Sequence, residues 1–441
     1  MKKYLAVAAL LTAGMAFAQQ NVAITWLTGS TAQAIQYGKQ AAQRYQDANP
    51  HTINGQDYNV TIKVQAGPES TTDRYALLLQ LFEAQSSDVD LLEIDVIWPG
   101  DLQQHLIDFN QYDGVKEDMK AFFQPIVENN TVDGKLVGIP YFTDAGLLYY
   151  RTDLLKKYGY DNPPKTWTEL QDMATKIMEG EGANNPDFTG FVWQGDAYEG
   201  LTCDALEWIS SFGGGTIISP EGQIEVYNDQ TIAALEAAAG WVGTISPKAV
   251  TGFTEEDSRQ IFQNGNAVFM RNWPYAYSLA TADDSKIADS VAVTTLPAGE
   301  GGSPAATLGG WQMAVNKYSK NSDVAVDVAR FMTSADEQLT HAIETAALPT
   351  IESVYQDQKL LDSKVSWFAD LLPVFQNAVA RPSTVTAPRY AEASKAFFTA
   401  VHDVLTGAND ADTAMGELEI DLEDLTGLKA AAHSGVKVAA K

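Results

Sequence analysis

Four short stretches set aromatic rings directly beside polar groups: Asp95 with Trp98, Phe142 with Asp144, Arg271-Asn272-Trp273-Pro274-Tyr275, and Gly309-Gly310-Trp311. An aromatic ring offers an apolar face, and a neighbouring carboxylate, amide or guanidinium offers paired hydrogen bonds. That combination suits a pyranose, whose C–H faces stack on rings while its equatorial hydroxyls bond bidentately to Asp, Asn or Arg. Of the nine tryptophans, Trp26, Trp208 and Trp241 fall in strand or helix patterns and read as core. Trp98, Trp273 and Trp311 abut Pro or Gly in loops and read as pocket residues.

Reactive constellations are missing. The sequence holds no Gly-x-x-x-x-Gly-Lys-Ser/Thr loop, no His-Glu-x-x-His, no Gly-x-Ser-x-Gly, and no Gly-x-Gly-x-x-Gly after a strand. Its five histidines, His51, His105, His341, His402 and His433, are scattered without metal-ligand spacing. Cys203 is the single cysteine, so no internal disulfide can form, and it reads as a small core residue. Asp95 and Asp144 could serve as acid and nucleophile of a glycoside hydrolase, another class that uses aromatic platforms. Nothing in the sequence predicts a raised carboxyl pKa, however, so binding without catalysis, cofactor or metal is the expectation.

The elements that must position these residues alternate as in α/β domains. Val22, Ile24 and Trp26 alternate as a strand, then Gly29-Ser30-Thr31 leads into a helix through Ile35, Gly38, Ala42 and Tyr45 that stops at Asn49-Pro50. Val60, Ile62 and Val64 read as a second strand. Ser70 to Asp73 can cap a helix carrying Tyr75, Leu78, Leu79 and Phe82, and Val89 to Ile94 read as a third strand. Strands separated by helices imply parallel crossovers, with ligands at the carboxyl ends of the strands, here Thr28 to Thr31 and Asp95 to Trp98. A second unit is signalled by a capping box, Thr166 with Glu169, by helices over Cys203 to Ser211, Asp229 to Val242 and Thr254 to Gln263, and by a strand from Val291 to Leu296.

Lys2 and Lys3, the apolar run Tyr4 to Met15, and Ala16-Phe17-Ala18 predict a cleaved secretory leader over 1–18 and a mature chain from about Gln19. The apolar run is too short to span a bilayer, and no cysteine follows the cleavage site for acylation. A periplasmic location is expected. A net charge of −28 argues against nucleic acid or anionic membrane as partner. No later stretch reaches membrane-spanning length, and the Ala- and Lys-rich segment 428–441 reads as a flexible tail.

In Asn266-Ala267-Val268-Phe269-Met270-Arg271-Asn272-Trp273-Pro274, in Gly134-Lys135-Leu136-Val137-Gly138-Ile139-Pro140 leading to Asp144-Ala145-Gly146-Leu147-Leu148-Tyr149-Tyr150-Arg151, and in Leu308-Gly309-Gly310-Trp311, the chain resembles the extracellular solute-binding proteins of carbohydrate ABC transporters, closest to the trehalose/maltose-binding proteins. The likeness runs to about Gly427. It implies a two-lobed α/β periplasmic-binding-protein fold with three interlobe crossings, near 142–146, 289–291 and 346–350, around a central ligand cleft. Lobe 1 would comprise 19–143 and 291–347, and lobe 2 would comprise 144–290 and 348–427. By motif match, Arg74 and Asp95 would bind hydroxyls from lobe 1 and Asp144 at the hinge. Trp273, Tyr275 and Trp311 would supply stacking faces, with Gly309 and Gly310 beside them, and Arg381 would add a contact from lobe 2. The resemblance implies a sugar ligand, permease subunits as partners and a monomer. Relatives often carry an acidic residue where this chain has Gly29-Ser30-Thr31 and a tyrosine where it has Phe142. Both departures remove polar groups and leave the sugar open, and another sugar, a polyamine or a peptide stays as an alternative solute.

Overall fold

The computed structural model describes residues 19–431. The expected leader 1–18 lies outside the described residues. Strand β1 (Gln20–Thr28) buries Ile24 and Trp26 completely. β2 (His51–Ile53) pairs antiparallel with β3 (Gln56–Ala66), and β3 and β4 (Leu91–Asp95) flank β1 in parallel register. The crossovers are the helices Ala32–Asp47 and Thr71–Glu83, capped by Thr31 and Ser70, whose hydroxyls accept the N–H of the residue three positions on. Period-two alternation on β1 sends Trp26 and Leu27 to opposite faces of the sheet. Trp26 belongs to the core packed with Tyr37 and Tyr141, whereas Leu27 packs with Leu78, Phe82 and Leu92. Each crossover helix therefore covers its own face.

A small hairpin, β5 (Thr131–Val132) with β6 (Lys135–Leu136), precedes β7 (Ile139–Ala145). Only Gly146 separates β7 from β8 (Leu147–Arg151), which lies in a different sheet. The remaining strands are β9 (Thr189–Val192), β10 (Gln223–Ile224), β11 (Ala267–Asn272), β12 (Val291–Thr294), β13 (Leu308–Val315) and β14 (Lys429–Ala430). β13 completes a six-stranded sheet ordered β2-β3-β1-β4-β13-β7, β9, β11 and β12 join β8 in a four-stranded sheet ordered β12-β8-β11-β9, and β10 pairs with β14. Trp208, Trp241 and Cys203 are buried in the second unit, where Trp167, Phe191, Trp208 and Trp241 pack ring against ring.

Three expected boundaries shift. Residue 291 was to open lobe 1, but β12 pairs antiparallel with β8 of the four-stranded sheet, and Ala298 still bridges Thr166. An apolar strand carries the same pattern whichever sheet it joins, and the chain returns to the first sheet only at Thr307 and Leu308. Residues 348 onward were to enter lobe 2. Instead Ile351 bridges Phe122, Tyr355 packs on Phe123, and the helix Phe368–Gln376 packs on β7. The third crossing falls near Val379, after which the helix Tyr390–Thr406 packs on Glu199–Ser211. Finally, the tail expected to be flexible from 428 begins with β14, which pairs in parallel with β10, and Ala431 N–H donates to the Ile224 carbonyl. The open backbone edge of β10 supplies that pairing, and 432–441 lie outside the described residues.

The three crossings run side by side. Ala145 pairs with Leu308, Thr307 bridges Val379, and the Leu308 and Val379 N–H groups donate across that bridge at 2.8 and 2.7 Å. The capping box at Thr166 is half formed: Thr166 Oγ1 accepts the Glu169 N–H, while the Glu169 carboxylate takes the Lys165 N–H.

Candidate functional site

The carboxyl ends of β1 and β4, as the parallel crossovers predict, open onto a cleft between the two sheets with about 1200 Å³ of atom-free space including its mouth. Arg74, Asp95, Asp144, Trp273, Tyr275, Gly309, Gly310, Trp311 and Arg381 all line it, as do Gly29, Ser30, Thr31 and Phe142. Strand register explains much of this. Trp311 on β13 stands opposite Asp95 on β4 and Phe142 on β7, and Gly309 stands opposite Asp144. A register shift between Trp311 and Gln312 bends the strand there, the usual means of re-aiming a side chain at a site. Gly309 lacks a side chain for a reason: a Cβ would sit 3.0 Å from the Trp273 ring and 3.1 Å from the Asp144 Cβ.

Both indoles are half-buried and backed by guanidinium groups. The Arg74 guanidinium lies 4.4 Å from the Trp311 ring centre, and that of Arg271 lies 3.9 Å from the Trp273 ring centre. Trp273 is fixed further by Nε1 donating to Glu255 at 3.2 Å and by Tyr149 Oη donating to its carbonyl at 2.7 Å. Tyr275 Oη donates to Glu256 at 2.7 Å. Trp98 does not line the cleft, contrary to the reading of its Pro-flanked position. It is buried beneath Trp311, edge to face at 5.6 Å, and Tyr75 covers it from the next helix. Its role is to hold the Trp311 ring.

Arg381 joins the two walls. Its Nη2 donates to Asp95 at 2.9 Å and its Nη1 to Glu199 at 2.8 Å, and all three groups are buried. Glu199 also accepts from Tyr390 Oη and Ser394 Oγ, each at 2.6 Å. One oxygen of Asp95 is thus already occupied by Arg381.

A model of the family described as bacterial extracellular solute-binding proteins matches residues 28–339, which contain every cleft residue just described except those of the 341–381 segment. The chain belongs to that family. A probable ABC transporter-binding protein of Deinococcus radiodurans is 48% identical over 428 residues, covering 97% of this chain and 99% of its own. Among solved structures, maltose-bound T. maritima MalE3 is 39% identical with a TM-score of 0.85, over 91% of this chain and 99% of that one. The maltodextrin-binding protein MdxE of Bacillus subtilis is 28% identical over 243 residues, 54% of each chain.

In this solute-binding protein the cleft is strongly acidic, and sequence reading found Asp95 and Asp144 but missed its other carboxylates: Glu69, Glu93, Glu199, Glu255 and Glu256. Glu93 alone had a signal, since it lies two residues before Asp95 on one strand and shares its face. Burial raises the Glu93 carboxyl to about 7, against the pull of Arg74 and of the Thr28 hydroxyl, which donates to it at 2.6 Å. Burial also pushes Asp144 well above the usual carboxylate range, reinforced by Asp95 and opposed by Arg271. His341, stacked between Tyr37 at 4.0 Å and Tyr141 at 4.9 Å, is held down to about 3 by burial and Arg44, so it is neutral. Among the described residues no cluster of His, Cys, Asp and Glu could hold a metal ion, and no helix is long and apolar enough to cross a membrane. Solute capture is what such a family does; the site carries no reaction.

Proposed function

We propose that this solute-binding protein is exported to the periplasm, captures an α-glucoside disaccharide such as maltose or trehalose as a monomer, and delivers it to the permease subunits of an ABC importer. The observation that carries the reading is the pair of half-buried indoles, Trp311 and Trp273, placed on either wall of a cleft rich in carboxylates and guanidinium groups. Indole faces take the apolar side of a pyranose, and charged hydrogen-bonding groups take its hydroxyls, each such bond contributing about 1.5–3 kcal/mol. The relatives agree in kind: one is solved with maltose, and another is named for maltodextrin. Arg74, Asp95, Asp144 and Arg381 are assigned to hydroxyls, Tyr275 to a further ring contact, and Gly309 and Gly310 to close approach of the ligand to the backbone.

A thermal-shift panel of sugars, polyols, polyamines and peptides tests the assignment. A disaccharide present at 100 times its Kd should add about 2.7 kcal/mol of stability. Trp311→Ala should then weaken that disaccharide by about 1–3 kcal/mol in calorimetry, from lost stacking and lost apolar burial. A panel in which only a polyamine or a peptide raises the melting temperature would replace the sugar.

A further inference from the structure

The cleft is bridged at both of its ends by hydrogen bonds from wall to wall. At one end Gln33, which opens the helix Ala32–Asp47, donates to Ser278 Oγ at 2.8 Å. Ser278 belongs to the helix Ala276–Ala280, directly after Tyr275 and Trp273. Its hydroxyl lies 2.9 Å from the Tyr275 carbonyl on its own wall and 3.0 Å from the Thr345 carbonyl on the opposite one. At the other end the Thr254 hydroxyl lies 3.0 Å from Glu69 Oε1 across the cleft and 3.0 Å from Asp257 Oδ2 on its own wall, and the Glu199 N–H donates to Thr72 Oγ1 at 3.3 Å. Glu69 precedes the N-cap of the helix Thr71–Glu83 and Thr72 lies in its first turn, and this helix covers the face of the six-stranded sheet opposite to that of Ala32–Asp47. The two sets of bonds therefore stand on opposite sides of the cleft that Trp311, Asp95 and Trp273 line.

We infer that Gln33–Ser278 and Glu69–Thr254 are end latches that limit ligand length, so that the shut cleft admits two pyranose rings and a third must break one latch. This rests on the sugar reading above and adds the residues that select among saccharides. A ring pushed past either latch separates its donor from its acceptor, and at the Gln33 end it also strips the Thr345 carbonyl of the Ser278 hydroxyl. Penetrating groups would be left without partners in a narrowed mouth, which is costlier than losing the bond alone. The unbranched side chains of Gln33 and Glu69 are the two cleft-lining groups that reach across to the far wall at these ends.

The test is calorimetry on the full mature chain with glucose, maltose, trehalose, maltotriose and maltotetraose. The parent should bind its better disaccharide at least about tenfold more tightly than either longer saccharide, a gap of the size that lost and unreplaced hydrogen bonds produce. In the double variants Gln33→Ala/Ser278→Ala and Glu69→Ala/Thr254→Ala, at least one gap should shrink to about threefold or less. The ratio between lengths is the readout, because a latch that merely steadied the closed form would weaken every length by one factor. Parent affinity for maltotriose and maltotetraose equal to that for the disaccharide would overturn the proposal while leaving the sugar reading intact. So would variants that lower all lengths equally. If no saccharide of any length binds the parent, the sugar reading falls and this proposal falls with it.

Discussion

Glu93 shows how much one buried carboxyl can shape behaviour. It faces Thr28 on β1, Arg74 from the helix Thr71–Glu83, Asp95 two residues along its own strand, and Tyr141 on β7. Burial lifts it from an ordinary 4.5 to about 7. Between those values the unfolded chain gives up this proton while the folded chain keeps it, so the folded state loses stability as pH rises and levels off above about 7. The full cost is ~3 kcal/mol, from about 1.4 kcal/mol for each unit of displacement. Asp144 and Glu199 are raised by burial too and tilt stability the same way, so the parent alone would not isolate Glu93. Urea unfolding of the parent and of Glu93→Gln from pH 5 to pH 8 does isolate it. The difference between the two should move by ~2–3 kcal/mol in favour of the variant as pH rises. A constant difference would mean that Glu93 is ionised throughout and that Arg74 outweighs burial.

At the scale of elements, the helix Glu199–Ser211 organises the hinge. Glu199, Cys203 and Glu207 lie at i, i+4 and i+8, hence on one face. Glu199 pairs with Arg381 after the third crossing, and the Cys203 carbonyl accepts from Thr307 Oγ1 at 2.8 Å in the second. Glu207 accepts the Thr307 N–H at 3.1 Å, pairs with Arg271, and lies directly against Gly146 in the first crossing. A Cβ on Gly146 would overlap the Glu207 carboxylate and crowd the Arg271 guanidinium, so only glycine fits between β7 and β8. Gly146→Ala should cost about 1–3 kcal/mol in denaturant unfolding through overpacking, and parent-like stability would show that the ion pair yields freely. The sequence disclosed part of this arrangement. Strands β1, β3 and β4 and the capped helices between them were legible because their periodicity is strong and local. Asp95, Asp144, Trp273, Tyr275 and Trp311 were legible because ring and charge stand together in short stretches, whereas Arg74 and Arg381 were named only through the family resemblance. The contacts of Glu207, Cys203 and Glu199 were not, since a buried carboxylate on a helix looks like an exposed one until its partner 64 residues away, Arg271, is in place. Trp98 misled for a similar reason: a proline beside it marked a turn, and that turn is packed beneath Trp311.

The cleft is shut, and apart from the buried Arg381–Asp95 pair the bonds that hold its walls together are few. Gln33–Ser278, Ser278–Thr345, Glu69–Thr254 and Glu199–Thr72 are the hydrogen bonds spanning its two rims. The neutral bonds among them contribute about 0.5–1.5 kcal/mol each and the one to the Glu69 carboxylate about 1.5–3 kcal/mol, and opening returns their groups to water. Against them stands the like charge of Glu69 on one wall and of Glu255 and Glu256 on the other. Three adjacent crossings leave the lobes free to swing about a short axis, the hinge motion known for periplasmic binding proteins as a class. A solute that touches Asp95 and Arg74 on one wall and Trp273 on the other gains all its contacts only in the shut form, and it shifts the population by that difference alone. Moving the balance from 1:99 to 99:1 takes about 5.5 kcal/mol, within reach of two or three hydrogen bonds to charged groups at about 1.5–3 kcal/mol each. Small-angle scattering of the mature chain should therefore give a larger radius of gyration without ligand than with saturating disaccharide. Trp273→Ala, which strips one wall of its platform, should need more sugar for the same contraction. Superimposable curves with and without bound ligand would mean that the rim bonds suffice to hold the cleft shut, and that solute enters a preformed pocket by brief local opening.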